Sequence, residues 1–290
     1  MVETNTTPIL LNGREVANEV LKNVANEINA IKSNNKRVPG LAVLLVGENP
    51  ASKTYVNNKE KACNSIGIYS EVHKFQENIT QESLMERIEQ LNNDNKIDGI
   101  LLQLPLPSHL DSQKLINAIN PKKDVDGLTS VNLGKLISGQ QCLKPCTPLG
   151  VIEILKHYSI NLIGEQAVVI GRSSLVGKPV SLLLLEKNAS VTVVHSKSKE
   201  IEKITKTADV LICALGKPRL VKKDWVKPGA IIIDVGINKI TEEGKDKLVG
   251  DVDFEDVKAI CKAITPVPGG VGPVTIAMLL SNTLEAYKSK

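Results

Sequence analysis

The sequence predicts an α/β protein of two domains with mostly parallel sheets. Three observations predict it. At 290 residues the chain exceeds the usual size of one domain. Short apolar runs alternate with amphipathic stretches, the pattern of parallel strands joined by helices. The alternation breaks at a stretch crowded with Pro and Gly, then restarts beyond it.

The elements follow in order. Val16, Val20, Val24, Ile28 and Ile31 recur at helical spacing and predict a helix over 14–31. Leu41–Val46 is wholly apolar and ends at Gly47, as a strand buried on both faces does. A helix follows over 52–66, with Ser52 as its cap and Gly67 as its stop. A strand is expected at 68–75, then a helix capped by Thr80 and carrying Leu84, Ile88 and Leu91. The strand 97–104 is cut off by Pro105, and another helix spans about 111–119. Pro121, Gly127, Gly134, Gly139, Pro145 and Pro148 then mark a boundary between Asn120 and Pro148. Beyond it Thr147 is expected to cap a helix with Pro148 at its first position. Strands are predicted at 166–170, 190–194, 209–215 and 230–235, with a helix from about Val176. A Pro/Gly loop over 265–273 precedes a last helix at about 274–287.

Composition narrows the function classes. Hydrophobic residues make up 42% of the chain, enough for real cores. Lys+Arg 36 against Asp+Glu 32 is too balanced for a nucleic-acid binder. Aromatic residues are only 2%, which argues against base-stacking platforms. Cys63, Cys142, Cys146, Cys213 and Cys261 are odd in number and form no Cys-x-x-Cys pair, which fits reduced thiols in a cytoplasmic protein. The four histidines have no metal-ligand spacing, so no metal is expected. The polar N-terminus has no signal-peptide core, and the apolar runs are too short to span a membrane.

The first chemical signal is the segment Ala167-Val-Val-Ile-Gly-Arg-Ser-Ser-Leu-Val-Gly-Lys-Pro179. It has the order strand, turn, helix. Gly171 permits a tight turn off the strand, and Gly177 lets the helix approach the sheet. The helix start then offers amides and a positive dipole end to a pyrophosphate. The spacing departs from Gly-x-Gly-x-x-Gly, because Ser173 stands at the second position. An ordinary turn has the same look on this segment alone. Ribose 2′-hydroxyls are usually taken by an acid about twenty residues on. Here the next strand ends in His195-Ser-Lys-Ser-Lys199, with no acid. Ser196, Lys197 and Arg172 would attract a 2′-phosphate, so NADP is favoured over NAD. The alternative is a solvated basic loop.

The second signal lies in the N-terminal half. Tyr55 and Lys59 are four residues apart on one helix and share a face. That helix follows a buried strand, so its start borders the carboxyl edge of the sheet, where ligands sit in open α/β folds. Gln103, between Leu102 and Leu104, is an amide in an apolar strand end at that same edge. Most lysines simply face solvent, so Lys59 gains its meaning from these neighbours.

At this point several long motifs occur together: Gly47-Glu-Asn-Pro-Ala-Ser-Lys-Thr-Tyr-Val-Asn-Asn-Lys59, Leu101-Leu-Gln-Leu-Pro-Leu-Pro107, Pro121-Lys-Lys-Asp-Val-Asp-Gly-Leu128, Pro145-Cys-Thr-Pro148, Gly171–Pro179, Gly250-Asp-Val252 and Pro266-Val-Pro-Gly-Gly-Val-Gly-Pro273. In these the chain resembles, nearly end to end, the bifunctional methylenetetrahydrofolate dehydrogenase/methenyltetrahydrofolate cyclohydrolase family. The resemblance implies a folate-binding catalytic domain at 1–146, with the last helix (about 274–290) packing back on it. It implies a Rossmann-type NADP-binding domain at 147–273, and a cleft between the two. It further implies oxidation of 5,10-methylenetetrahydrofolate by NADP+, hydrolysis of the methenyl product to 10-formyltetrahydrofolate, and a homodimer.

The residues carry over one by one. Lys59 matches the key catalytic group, supported by Tyr55 and Gln103. Asp126 matches the aspartate that holds the pterin, although an Asp before Gly127 is also a common turn former. Leu104 and the loop Pro268, Gly269, Gly270, Val271 and Gly272 match the substrate border. Gly171, Arg172, Ser173, Gly177, Ser196, the backbone at Ile237 and Thr147 are the cofactor candidates. Two rival readings remain: a dehydrogenase of another small substrate on the same plan, such as a shikimate-type enzyme, and a nucleotide-sensing module without catalysis. Folate-dependent reduction of NADP+ separates the first rival. NADP binding without folate turnover would mark the second.

Overall fold

The computed structural model describes residues 7–289. The polar N-terminal stretch 1–6 and Lys290 lie outside the described residues. In chain order the first elements are β1 (Ile9–Leu10), α1 (Gly13–Ser33), β2 (Gly40–Val46), α2 (Pro50–Ile66), β3 (Tyr69–Phe75), α3 (Gln81–Asn93) and β4 (Gly99–Leu102). Then come α4 (Ser112–Ala118), α5 (Ser130–Ile137), α6 (Cys146–His157), β5 (Gln166–Ile170), α7 (Gly177–Glu186), β6 (Ser190–Val194), α8 (Ile201–Thr205) and β7 (Val210–Cys213). The last are β8 (Ile231–Asp234), β9 (Asn238–Glu242), β10 (Lys245–Val249), α9 (Phe254–Val257), β11 (Ala263–Ile264) and α10 (Val271–Lys288).

The chain divides into two units. One comprises Asn18–Cys146 and the chain from Ile276. Its sheet has the order β3-β2-β4, all parallel. The central strand β2 is buried along its whole length. Leu41, Val43 and Leu45 enter one core with Val56, Cys63 and Leu280, while Ala42, Leu44 and Val46 enter another with Leu84, Ile88 and Leu115. Alternation of faces thus turns one continuous apolar run into two cores. Leu279, Leu280, Leu284 and Ala286 of α10 belong to the first core.

The other unit comprises Thr147–Thr275 with the described residues up to Ala17. Its six-stranded sheet has the order β1-β11-β8-β7-β5-β6. All its pairings are parallel, and helices connect several of its strands. The start of the chain therefore departs from the expected boundaries: Ile9 and Leu10 pair with Ala263 and Ile264 at the sheet edge. Two such residues carry no local pattern that names a partner strand so far along the chain. The stretch 120–148 is also no bare linker. It contains α5, capped by the Thr129 hydroxyl accepting from the Asn132 amide at 3.2 Å.

Several ends shift from the expected positions for clear reasons. The cap of α2 is Asn49, not Ser52; its Oδ1 accepts from the amides of Ala51 and Ser52, and Pro50 fills the first helical turn. Thr147 does not cap α6 but lies within its first turn. Pro148 is tolerated there because early helical amides lack internal partners anyway. The strand predicted at 97–104 pairs only over Gly99–Leu102, though the Gln103 amide still donates to the Leu44 carbonyl at 2.9 Å. Val271 and Gly272 open α10 rather than closing a loop. No helix among the described residues is long and apolar enough to cross a membrane.

Candidate active site

In the unit built on β2, Ser52, Val56, Cys63 and Ile66 form the buried stripe of α2. Lys59 falls between Val56 and Cys63 at the three-and-four spacing of that stripe, so the fold turns this lysine inward. Its Nζ donates to Gln103 Oε1 at 2.9 Å. The Gln103 Nε2 in turn donates to the Leu104 carbonyl at 2.6 Å, which orients the amide oxygen toward the lysine. Tyr55 sits one turn before Lys59 and is half-buried, and burial raises its phenol above the usual range.

Asp126 completes the group. Burial pushes its carboxyl up to about 6; Lys59 opposes that rise and the nearby Asp124 adds to it. Burial lowers the Lys59 amine below the usual lysine range, while Asp126 and the Cys146 and Cys63 thiols draw it back up. The environment therefore favours a lysine that gives up its proton more readily than one in water.

The loop that carries Asp126 is tied down on both sides. The buried Asp124 accepts from the amides of Leu128 (3.1 Å) and Thr129 (2.8 Å) and from Asn132 Nδ2 (2.9 Å). Asn282 Nδ2 donates to the carbonyls of Val125 (2.8 Å) and Lys144 (2.9 Å). The Cys146 thiol donates at 3.1 Å to the carbonyl of Val125, the residue before Asp126. Sequence reasoning gave Asp124, Cys146 and Asn282 no role. Asn282 meets Val125 across 157 positions, and no local pattern announces that contact.

In the unit built on β5, Gly171 has φ +125°, and a Cβ there would lie 2.2 Å from the Ala214 carbonyl oxygen. A Cβ on Gly177 would lie 2.2 Å from the Gly171 oxygen. Both positions demand glycine, the first by conformation and approach, the second by approach alone. Ser173 Oγ accepts from the amides of Val176 (3.1 Å) and Gly177 (3.4 Å). The helix start is therefore partly satisfied by this side chain, where the sequence suggested amides left open for a ligand. Arg172 and Ser173 are both exposed. The Gly171 amide donates to the Val194 carbonyl at 2.8 Å, which sets the turn beside the end of β6. There Ser196 and Lys197 are exposed, and no acid occurs from His195 to Lys199. A cradle that a Cβ would fill, flanked by cations and lacking an acid, fits a phosphorylated dinucleotide.

The Pro268–Gly272 segment lies in this same unit. Gly269 has φ +107°, and a Cβ on Gly272 would touch Ile237 Cδ1 at 3.6 Å, so these two candidate regions are neighbours. Thr147 Oγ1 accepts from Thr275 Oγ1 at 3.2 Å.

Residues 11–126 match the catalytic-domain model of tetrahydrofolate dehydrogenase/cyclohydrolase, and residues 145–290 match its NAD(P)-binding-domain model. The chain belongs to the tetrahydrofolate dehydrogenase/cyclohydrolase family. A bifunctional protein FolD of Acetivibrio thermocellus is 50% identical over 96% of this chain and 96% of its own. The solved FolD methylenetetrahydrofolate dehydrogenase/cyclohydrolase of Campylobacter jejuni shares 47% identity with a TM-score of 0.93, covering 97% of this chain and 98% of that one. The Trypanosoma brucei dehydrogenase-cyclohydrolase, solved with NADP and an inhibitor, shares 38% identity with a TM-score of 0.93 over 97% and 98% of the two chains. Family membership covers both units, so both activities have their domains in this chain.

Proposed function

We propose that Lys59, oriented by Gln103 and pushed toward its neutral amine by burial, is the group that activates water for the second of two linked reactions. The chain is a bifunctional enzyme. It oxidises 5,10-methylenetetrahydrofolate with NADP+ to the methenyl form and hydrolyses that form to 10-formyltetrahydrofolate. The observation that carries this reading is the 2.9 Å bond from Lys59 to Gln103 beside Asp126.

NADP+, when bound, accepts the hydride from the folate methylene carbon. The chain's own residues do the rest. Asp126 accepts from the ring N–H and amino group of the pterin, a geometry a carboxylate suits. Tyr55 packs on the same face of α2. Hydride loss leaves a methenyl cation shared by N5 and N10. That cation further disfavours an ammonium at Lys59, so the amine is free to take a proton from water as it adds to the carbon. The C–N5 bond then breaks and N5 takes up a proton. Hydrolysis yields the N10-formyl product and releases one proton overall.

Leu104 and the segment Pro268–Gly272 are assigned to the substrate border. Gly171, Arg172, Ser173, Gly177, Ser196, Thr147 and the Ile237 backbone are assigned to NADP, with Arg172 and Ser196 reading the 2′-phosphate. The folate-binding part corresponds to the unit around β2 and the NADP-binding part to the unit around β5. Five free cysteines, four of them buried, support a reducing, cytoplasmic setting. A homodimer is carried by the family resemblance.

A coupled assay tests the reading. The enzyme receives methylenetetrahydrofolate with NADP+ or NAD+, and both the formation and the decay of the methenyl species are followed. The reading predicts folate-dependent reduction of NADP+ and decay of the methenyl species above its spontaneous rate. Absence of NADP+ reduction would return the choice to a dehydrogenase of another substrate. NADP binding without any folate turnover would indicate a sensing module.

A further inference from the structure

The unit built on β5 buries two carboxylates that the reactions above leave without a role. Asp251 is 0% exposed and Asp234 3%. Burying a carboxylate costs several kcal/mol unless donors replace its water. Here the donors come from turns that follow the carboxyl ends of the strands. Asp251 Oδ2 accepts from the amides of Leu215 (2.6 Å) and Gly216 (3.0 Å). Its Oδ1 accepts from the Lys217 amide (2.8 Å) and from Asn238 Nδ2 (2.9 Å). Asp234 Oδ1 accepts from the amides of Gly236 (3.0 Å) and Asp251 (3.0 Å), and its Oδ2 from that of Val252 (2.9 Å). The Asp234 amide donates to Thr265 Oγ1 at 2.8 Å.

These bonds converge on one point. Ile237 lies between Gly236, anchored by Asp234, and Asn238, anchored by Asp251. A Cβ on Gly236 would sit 2.3 Å from the Asp251 carboxylate, so the backbone before Ile237 rests directly on that acid. The other segment that Asp251 holds, Leu215–Lys217, follows Ala214, whose carbonyl backs Gly171. Ile237 itself is 44% exposed. The buried acids thus fix a backbone whose outer face stays open.

We propose that Asp234, Asp251 and Asn238 are positioning residues for the dinucleotide: they hold the Ile237 backbone and the Leu215–Lys217 turn in the bound arrangement before the cofactor arrives. The inference rests on the assignment of Ile237 to NADP binding. It adds that the site is preorganised by buried, hydrogen-bonded acids rather than shaped by the ligand. It also explains why both acids lie inside a sheet unit that otherwise buries mainly aliphatic side chains. All the donors are N–H groups, so an Asn at either position would turn an NH2 toward them and leave buried donors unpaired.

The test uses Asn238→Ala, which removes the amide donor to Asp251 and its long contact with the Val249 carbonyl (3.5 Å) and leaves both acids and the backbone–backbone bonds in place. Calorimetric NADP binding should weaken about tenfold, the size expected for loss of a bond to a charged group. Amide exchange at Ile237 and Leu215 in the free protein should quicken. Hydrolysis of methenyltetrahydrofolate without nucleotide should proceed at the wild-type rate. Unchanged NADP affinity together with unchanged exchange would overturn the inference. So would an equal loss of hydrolysis, which would mean that Asn238 only supports the fold. Asp251→Asn is the stronger variant and should lose NADP binding further. Wild-type protein that failed to bind NADP would sink the functional reading and this inference together, whereas normal wild-type binding with an unaffected Asn238→Ala would sink the inference alone.

Discussion

The substitution Asp126→Asn keeps the size of the side chain and removes its charge. Burial raises the Asp126 carboxyl from the usual 3.8 to about 6, even with Lys59 opposing the rise. The folded protein therefore keeps a proton that the unfolded chain has already released between about pH 4 and pH 6. Stability falls as pH rises through that window, and above it the charged form carries the full deficit. At about 1.4 kcal/mol per pH unit, the deficit is on the order of 3 kcal/mol. An amide in the same place has no charge to desolvate. The variant should be more stable than wild type by about 1–3 kcal/mol at about pH 8, a range already net of the opposing pull of Lys59. The gain should vanish toward about pH 4. Urea melts of the ligand-free proteins at about pH 5 and about pH 8 measure it directly. The same variant should raise KM for the folate about tenfold or more, because hydrogen bonds from the pterin lose their charged acceptor. It should also move the rising limb of the hydrolysis rate to lower pH, because the Asp126 charge helps to raise the Lys59 amine. A variant no more stable than wild type at about pH 8, with folate KM unchanged, would refute the reasoning.

Two further outcomes concern the NADP side. Gly177→Ala would place a methyl 2.2 Å from the Gly171 oxygen and 2.8 Å from the Arg172 nitrogen. Overpacking against backbone should cost about 1–3 kcal/mol and weaken NADP binding, as thermal melts and titration calorimetry would show. Arg172→Ala should weaken NADP roughly tenfold or more through loss of a charge-assisted contact, with little effect on NAD. Equal losses for the two nucleotides in parallel titrations would remove Arg172 from the 2′-phosphate.

The parts of this protein that were legible in the sequence are those where one physical demand dominates. Gln166–Ile170 and Ser190–Val194 form strands at the expected residues. Burial of β2 on both faces required the unbroken run from Leu41 to Val46. Lys59 was readable because it shares a helix face with Tyr55 at the sheet's carboxyl edge, and Gln103 because an amide interrupts an apolar strand end. The rest depended on contacts without local pattern. The hairpin of β9 and β10, Asn238–Val249, carries many charges and is largely solvent-exposed, so no hydrophobic period marked it. The helix α5 was hidden by Gly134, inside a stretch whose Pro and Gly suggested a linker. The ties from Asn282 to Val125 and from Asp251 to Leu215 join residues far apart in the chain, and only the folded geometry reveals them.

The central claim is that a neutral Lys59 activates water at the methenyl carbon. Lys59→Met keeps an unbranched side chain of similar length in the stripe of α2 and removes the amine. Hydrolysis of methenyltetrahydrofolate by purified Lys59→Met, followed by decay of the methenyl absorbance beside a calorimetric check of NADP binding, measures the claim directly. Hydrolysis should fall by about a hundredfold or more, with NADP affinity unchanged. Hydrolysis at the wild-type rate would contradict it.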